Sequence, residues 1–236
     1  MTLIFHQVFA HDMSPTPEEL LQEASRLHSV SDFKKGMKTA ENARKKFQKE
    51  GRVDRAIEAL RVMGDCVVNT HDLKKAEKLY NELFWEGYNL PNKWYQAAAH
   101  WGLGQVAFRS MNYPAAVTHF EQGLELARSI ADKWYIAWNA LGLALALRGL
   151  GRLVEARPLL QEAIAAFKEL NQSSAQSWAE KALQEIGGET EVEKGAADEI
   201  RIWLCPMCGS KFKQEQVSVL KSRKTTTCEY CGTTSG

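Results

Sequence analysis

Residues 93–131 have the sequence KWYQAAAHWGLGQVAFRSMNYPAAVTHFEQGLELARSIA, and the same pattern begins again forty residues later. Lys93-Trp94-Tyr95 returns as Lys133-Trp134-Tyr135, with similar apolar spacing behind it. Small residues, each three positions after an apolar one, recur at the same interval as Gly36, Ala76, Ala116 and Ala156. Self-similarity at a fixed period of about 20 to 50 residues is typical of a solenoid.

Each period is predicted to fold as a helical hairpin. Apolar residues fall at helical spacing in two runs, residues 103–108 and 113–127, on either side of Asn112. Asparagine and aspartate side chains accept hydrogen bonds from the free N–H groups at a helix start. Asn112, Asp32 and Asp72 therefore predict where second helices begin.

Prolines and glycines mark further helix ends. The stretch 14–19, Ser-Pro-Thr-Pro-Glu-Glu, predicts the start of the first helix, with a hydroxyl cap, proline in the first turn and acids at the positive end of the helix dipole. The fourth hairpin is predicted to turn at Gly149 and Gly151. Pro158 lies about five residues into the next helix, so it predicts a kink or a later helix start.

These positions resemble the signature of the tetratricopeptide repeat. Its slots are occupied by Leu103-Gly104, Ala116, Phe120 and Leu124, and in the next repeat by Leu143, Ala156, Leu160, Ala163 and Ile164. The forty-residue unit is similar to the longer repeats of the kinesin light chain and of the Pins/LGN scaffold proteins. The resemblance implies an all-α, right-handed superhelical solenoid of about four hairpins over residues 14–186, closed by a cap helix over 173–186.

The resemblance also implies that the first helix of each repeat lines a concave binding face. Carried over one position at a time, the lining residues are Glu58, Arg61, Asp65, Asn69, Trp101, Gln105, Phe108, Arg109, Trp138, Leu141, Leu145, Arg148, Trp178 and Lys181. Exposed tryptophan and arginine are frequent anchors of protein interfaces. In the alternative interpretation, Trp94, Trp134 and Trp138 pack between repeats.

One subclass of tetratricopeptide domain is disfavoured by the residues present. Some members clamp a C-terminal carboxylate with asparagine, lysine and arginine side chains. Here Val62, Gly102 and Gly142 stand where those polar groups would be. A chaperone-tail co-chaperone is therefore not predicted.

The composition is that of an ordinary globular protein. The 236 residues are 44% hydrophobic and 25% charged with a net charge of +1, which gives no global argument for nucleic-acid binding. Residues 1–13 carry a short apolar run, Leu3-Ile4-Phe5, without a basic residue before it, so we predict no export signal and a cytoplasmic protein. This N-terminal tail is predicted to pack on the first repeat or to be disordered; alternatively, it contacts a second subunit.

Residues 187–199 carry five acids, one base and little to bury, and are predicted to be a linker. Residues 200–236 form a separate module with two C-x-x-C pairs, 19 residues apart, whose cysteines are Cys205, Cys208, Cys228 and Cys231. This spacing predicts one zinc ion bound by four thiolates. The glycine after each pair permits the positive φ that such a turn needs.

The module is predicted to be a small β zinc ribbon, as in zinc ribbons and rubredoxins. Residues 200–204 and 217–220 are rich in β-formers and predict its short antiparallel strands. Disulfides are disfavoured because no export signal is predicted, and a redox pair because no βαβ pattern surrounds the cysteines. Four sulfur ligands leave no open coordination position, which favours a structural metal.

The ribbon carries bases that are suited to phosphate contacts, with Phe212 among them. These candidate nucleic-acid residues are Lys211, Lys213, Lys221, Arg223 and Lys224. The alternative interpretation is that the ribbon caps the solenoid or contacts protein.

No catalytic constellation is evident in the sequence. Its six histidines are scattered, and none forms a ligand spacing with another. Cys66 is interpreted as a small buried hydrophobic residue. We therefore predict a non-catalytic scaffold that binds a partner peptide or protein through its repeats, with the zinc ribbon as a second interaction module. The alternative is a transcription or translation factor that binds nucleic acid through the ribbon.

Overall fold

The computed structural model describes residues 14–88, 90–202, 207, 212–222, 225–229 and 232–235, with backbone only for 188–202, 214, 221 and 235. The predicted N-terminal tail lies outside these residues. The chain divides into two compact units after Glu180. The first unit is helical, and the second holds the cysteine-rich module.

The first unit is a series of helical hairpins. Its helices are α1 (Pro17–Ser29), α2 (Phe33–Lys49), α3 (Val53–Val68), α4 (Leu73–Tyr88), α5 (Trp94–Arg109), α6 (Tyr113–Ser129), α7 (Lys133–Gly149), α8 (Leu153–Glu169) and the start of α9 (Ser173–Ile202). From α1 to α8 each helix packs against the next, and the first helices α1, α3, α5 and α7 also pack against one another. The predicted solenoid of hairpins is confirmed.

One turn geometry recurs in the first unit at intervals of twenty residues, except for a gap of forty between His71 and Met111. The residues of this unit with φ between 54° and 73° are Ser31, Gly51, His71, Met111, Ala131, Gly151 and Asn171. After most of them the next N–H bonds a carbonyl five residues back, as from Asp132 to Ala127 at 3.0 Å and from Arg152 to Leu147 at 2.9 Å. This bond belongs to the Schellman motif that ends helices. The forty-residue period therefore consists of two halves that end in the same type of turn.

The predicted caps also form. Asp32, Asp72 and Asn112 accept hydrogen bonds from the backbone N–H three residues later, at 3.4, 3.2 and 3.3 Å. Thr16 and Glu19 cap the first helix reciprocally, at 3.2 and 2.8 Å. Short-range chemistry in the sequence thus sets these helix starts.

Pro158 does not delay its helix, so the predicted later start is wrong. Helix α8 begins at Leu153 and continues through Pro158. Ala156 and Leu160 on either side are fully buried. Their burial offsets the single hydrogen bond that proline removes near the start of the helix.

Aromatic rings from second helices fill space left by glycines of first helices. Tyr80 lies against Gly64 and Gly102, and Phe120 against Gly104 and Gly142. A Cβ atom added at Gly104 or at Gly142 would come within 2.6 Å of the Phe120 ring. Phe120 is fully buried, so its ring has nowhere to move. We call these two arrangements the glycine clamps; they confirm that these glycines let neighbouring elements approach.

The small residues that recur every forty positions also let neighbouring helices approach closely. Gly36, Ala76, Ala116 and Ala156 are all buried in their second helices. A Cβ at Gly36 would lie 3.0 Å from the sulfur of Cys66. Cys66 is itself fully buried, as predicted, and burial together with the charge of Asp65 raises the pKa of its thiol to about 12.

The second unit departs from the predicted ribbon. Helix α9 is continuous through the predicted linker, residues 187–199, and includes Ile200–Ile202, which were expected to form a strand. Alanine, glutamate and lysine favour helix here, and this propensity outweighs the acidic charge and the lack of apolar residues on which the linker prediction rests. Whether 187–199 separates two domains stays a prediction.

The remaining described part of this unit contains α10 (Gln214–Lys221), β1 (Thr226–Thr227) and β2 (Thr234–Ser235). The strand predicted at 217–220 is therefore wrong. Gln216 accepts a hydrogen bond from the Lys213 N–H at 2.9 Å, which starts the helix. Val217 and Leu220, one helical turn apart, pack on Phe212 and Cys228. The two short strands pair antiparallel.

Candidate interaction face on the first helices

The first helices carry a column of stacked side chains. The guanidinium of Arg61 on α3 lies 5.7 Å from the ring of Trp94 at the start of α5. Forty residues later, Trp101 on α5 lies 5.7 Å from Trp134 at the start of α7. The two contacts are equivalent by the repeat. Arg61 and Trp101, which were predicted to line the face, therefore form one column with Trp94 and Trp134, which were predicted in the alternative interpretation to pack between repeats.

The column continues to the end of the unit. Trp138 lies 5.8 Å from Trp134 and 6.4 Å from Trp178 on α9, measured between ring centroids. Trp134 is 36% exposed and Trp178 is 50% exposed. We call Trp94, Trp101, Trp134, Tyr135, Trp138 and Trp178 the aromatic column. It presents large exposed rings along successive first helices.

Asp65 does not contact solvent freely, contrary to its predicted place on the face. It is 7% exposed, and its two oxygens are bonded by Arg61 and by the hydroxyl of Tyr80, the latter at 2.8 Å. Burial and the adjacent Asp65 carboxylate raise the pKa of Tyr80 well above its ordinary value. Asp65 therefore holds Arg61 in position and offsets its charge.

A cleft of about 320 Å³ opens beside the column. Among the described residues it is lined by Arg61, Trp94, Asp132, Trp134 and Tyr135. We call it the Trp94–Trp134 cleft. Three donors on the same helices, Arg61 Nε, Trp101 Nε1 and Trp138 Nε1, are screened from solvent and have no acceptor in the described part of the chain. Trp94 of the first Lys-Trp-Tyr motif and Trp134 and Tyr135 of the second thus line an open site.

Other predicted lining residues make contacts within the protein. The Asn69 side-chain oxygen accepts a hydrogen bond from Arg109 Nη2 at 3.0 Å, and its amide nitrogen lies 3.3 Å from His28 Nε2. Phe108 packs 5.6 Å from Tyr113. Arg109 is exposed, whereas Asn69 and Phe108 are half-buried.

The last predicted residues divide between surface and core. Gln105, Leu145 and Arg148 are half-buried, Glu58 is half-buried and bonded to Arg55, and Lys181 is exposed. Leu141 is 1% exposed, so its inclusion among the lining residues is wrong. Neighbouring helices surround it, and no sequence pattern distinguishes it from Leu145 one turn later.

Two histidines meet although the sequence showed no ligand spacing between them. His100 Nδ1 on α5 lies 3.3 Å from His119 Nδ1 on α6, and Phe84 packs against His100 at 5.2 Å. Burial, together with His119, lowers the pKa of His100 to about 4; burial also lowers the pKa of His119. Recognising that α5 and α6 form one hairpin is the only signal that could have paired them.

The C-terminal cysteines are described only in part. Cys228 is buried, while Cys205, Cys208 and Cys231 lie outside the described residues. Gly232 has φ of 73°, as its predicted turn requires, and its N–H bonds the Cys228 carbonyl at 2.9 Å. The Cys228 N–H bonds the Thr233 carbonyl at 2.9 Å. The second C-x-x-C pair thus begins at the end of β1 and precedes β2.

The predicted phosphate-contacting residues are described only in part. Phe212 is buried against Cys228, so it offers no exposed ring for stacking. Lys213 forms an ion pair with Glu229 at 2.6 Å. Lys211, Arg223 and Lys224 lie outside the described residues, and only the backbone of Lys221 is described.

The described residues contain neither a metal-binding cluster nor a helix suited to span a membrane. No group of three or more histidine, cysteine, aspartate or glutamate side chains there is arranged to hold a metal ion. None of the helices described has both the length and the apolar character to cross a membrane.

Comparison with known proteins gives a family for part of the chain and a fold for most of it. Residues 95–169, which lie in α5 to α8, match the model of the tetratricopeptide repeat family. No curated protein matches the sequence significantly. The crystal structure of the apo form of RapI is similar with a TM-score of 0.63 and 10% identity, over 83% of this chain and 76% of that one. At this identity the likeness concerns the fold alone. Residues 95–169 therefore match the tetratricopeptide repeat model, and they lie within a longer series of helical hairpins.

Proposed function

We propose that this protein is a non-catalytic scaffold that binds a partner protein or peptide on the face formed by its first helices. The observation that carries the proposal is the aromatic column. Trp134 and Trp178 expose large rings next to the half-buried Trp101 and Trp138. Aromatic anchors surrounded by partly buried neighbours are typical of interface hot spots.

The unsatisfied donors on this face support the same proposal. Buried tryptophan N–H groups usually have an acceptor, yet those of Trp101 and Trp138 have none among the described residues. Both N–H groups are screened from solvent, so a partner or ordered water pairs them only if the rings move on binding. Repeats of the tetratricopeptide type and a RapI-like solenoid also favour a protein-interaction scaffold over an enzyme.

The test compares two surfaces of the same chain. The full chain and its Trp178→Ala and Trp134→Ala variants are used to capture proteins from lysate, with Trp85→Ala as the matched control. Trp85 is 65% exposed but lies on α4, outside the column. A protein that binds the aromatic column should be captured by the Trp85→Ala control and should not be captured by the Trp134→Ala or Trp178→Ala variant.

Binding of that partner, once purified, is then measured by calorimetry. Loss of a central anchor should weaken affinity by about 2 kcal/mol, roughly thirtyfold. Equal affinity for all four proteins would refute the assignment of the face.

We further propose that Cys205, Cys208, Cys228 and Cys231 hold one structural zinc ion. Support comes from the spacing of the two pairs and from the turn at Gly232, whose backbone bonds return to Cys228. Zinc measured by elemental analysis should be about one ion per chain in the wild type and in Cys66→Ala. It should be lost in Cys205→Ser. Zinc content that is unchanged in Cys205→Ser contradicts the site.

A further inference from the structure

The rings of the Trp94–Trp134 cleft surround space that suits a cation. The ring of Tyr135 lies 5.5 Å from that of Trp94 and 4.7 Å from that of Trp134, so it contacts both tryptophans at the cleft. The faces of such rings attract ammonium and guanidinium groups. The protein already uses this attraction once, since Arg61 lies over Trp94.

The repeat leaves one of the two tryptophans without such a cation. The residue equivalent to Arg61 in the next repeat is Trp101, which packs against Trp134 as an aromatic neighbour. Trp134 keeps 36% of its surface exposed and has no cation over its ring among the described residues. Trp134, which has no such cation, and Trp94, which has Arg61 over its ring, line the same cleft.

The charges at the cleft also favour a cation. Among the described residues, Arg61 and Asp132 are the charged groups that line the cleft, and the charge of Arg61 is already paired with the buried Asp65. Asp132 accepts a hydrogen bond from the Tyr135 N–H at 2.9 Å through Oδ1, while its Oδ2 has no partner in the described residues. The adjacent Lys133 extends to Glu169 at 2.5 Å instead. Asp132 is therefore available as a counter-ion.

We propose that the Trp94–Trp134 cleft binds an arginine or lysine side chain of the partner, with its charged group over Trp134 and beside Asp132. This inference rests on the proposed function, because it names the chemistry of the partner on the same face. A volume of about 320 Å³ is at the lower end for ligand pockets and suits a single side chain. A carboxylate is less suited, because it would meet Asp132 while the charge of Arg61 is already offset.

The experiment uses small probes, so it does not depend on finding the partner. The full chain, with ¹⁵N-labelled tryptophan, is titrated with N-acetylarginine amide and with the uncharged analogue N-acetylcitrulline amide. We expect the arginine probe to shift the Trp134 and Trp94 indole signals, with a dissociation constant in the millimolar range. The citrulline probe should bind at least threefold more weakly. The indole signals are assigned with Trp94→Phe and Trp134→Phe.

Asp132→Asn is the matched variant. Asparagine is as good a helix cap as aspartate, so α7 should keep its start while the cleft loses its counter-ion. An unchanged melting temperature with at least threefold weaker arginine binding supports the proposal. The Trp85 indole is an internal control, since its acidic neighbour Glu86 is paired with Arg44 at 2.6 Å; it should not distinguish the two probes.

Two results overturn the inference. One is equal binding of arginine and citrulline probes, which means general stacking. The other is tighter binding of N-acetylglutamate amide that is lost in Arg61→Gln, which means an anion site. If the arginine probe binds at Trp134 but the variants of the aromatic column still capture the partner, the cation site in the cleft is supported and the proposed function is refuted.

Discussion

Aromatic residues repeat at the forty-residue interval in two regions with opposite environments. Tyr80 and Phe120 are fully buried in the glycine clamps, where no ring movement is possible. Trp94 and Trp134 lie in the aromatic column, where Trp134 is partly exposed and borders a cleft. Periodicity therefore shows only where an aromatic residue lies in the repeat. The neighbouring helix determines whether its ring is packed in the core or is exposed and able to contact a partner.

The largest expected effect separates these two regions directly. Phe120→Ala should lower the free energy of unfolding by about 3 to 5 kcal/mol, because it leaves a cavity between two glycines that cannot fill it. Trp178→Ala should change it by less than about 1 kcal/mol, because its ring is half exposed. Urea unfolding measures both. Similar losses for the two variants would mean that the column is part of the core.

A smaller effect is expected when the clamp is overfilled. Gly102→Ala places a methyl group 2.2 Å from the ring of Tyr80, so we expect a loss of about 2 to 3 kcal/mol. Gly187→Ala is the control, because nothing lies within 4 Å of its added Cβ and alanine favours helix. Thermal melts of both variants provide the comparison. An unaffected Gly102→Ala variant would show that the clamp is loose.

The histidine pair should add a pH dependence that belongs to the packed interior. In the folded chain the pKa of His100 is lowered to about 4 by burial and by His119, so the unfolded chain binds its proton first as pH falls. The stability is fully present above about pH 6.5 and decreases as pH falls from there towards 4. The loss at pH 5 should be on the order of 1 kcal/mol.

Denaturant unfolding at pH 7.5 and pH 5 tests this, with His100→Gln expected to reduce the difference. His71→Gln, at an exposed histidine in a turn, should leave the difference intact. If His100→Gln behaves like His71→Gln, then the pair does not titrate as described.

The smallest effect concerns the shared turn and has the opposite sign. Met111 has φ of 57° and is 76% exposed, while the equivalent residue in the next repeat is Gly151. Met111→Gly should stabilise the protein by about 0.5 to 1 kcal/mol, because glycine adopts this conformation without strain. Leu150→Gly, at φ of −94°, should instead destabilise it. Calorimetric melting distinguishes the two signs.

Local chemistry explains which predictions succeeded. The hairpins, the caps at Asp32 and Asn112 and the turn at Gly151 depend on residues within a few positions of one another, so the sequence displays them. Helix α10 was missed because Val217 and Val219 alternate as in a strand, while Val217 and Leu220 lie one helical turn apart. Nothing within that short segment decides between the two.

The candidate site was predictable in composition but not in geometry. Arg61 and Trp101 were expected on the face, yet their contacts are with Trp94 and Trp134, each 33 residues later in the chain. Asp65 was expected to line the face and instead is buried and bonded to Arg61 and Tyr80. The contacts of Arg61 and Trp101 form between successive hairpins, and that of Tyr80 forms between the two helices of one hairpin. Only the Arg61–Asp65 contact, four residues apart in one helix, is within the range of a helical pattern.

The sequence by itself determined that this chain is a solenoid of helical hairpins with a forty-residue period, because apolar spacing, capping residues and glycine positions act over short distances in the chain. Only the tertiary structure decided which repeated aromatic residue is buried and which is exposed. That choice depends on how the helices stack, because Phe120 packs against two glycines, whereas Trp134 packs against two tryptophans and borders an open cleft. Burial is a property of the assembled helices and not of the residue type.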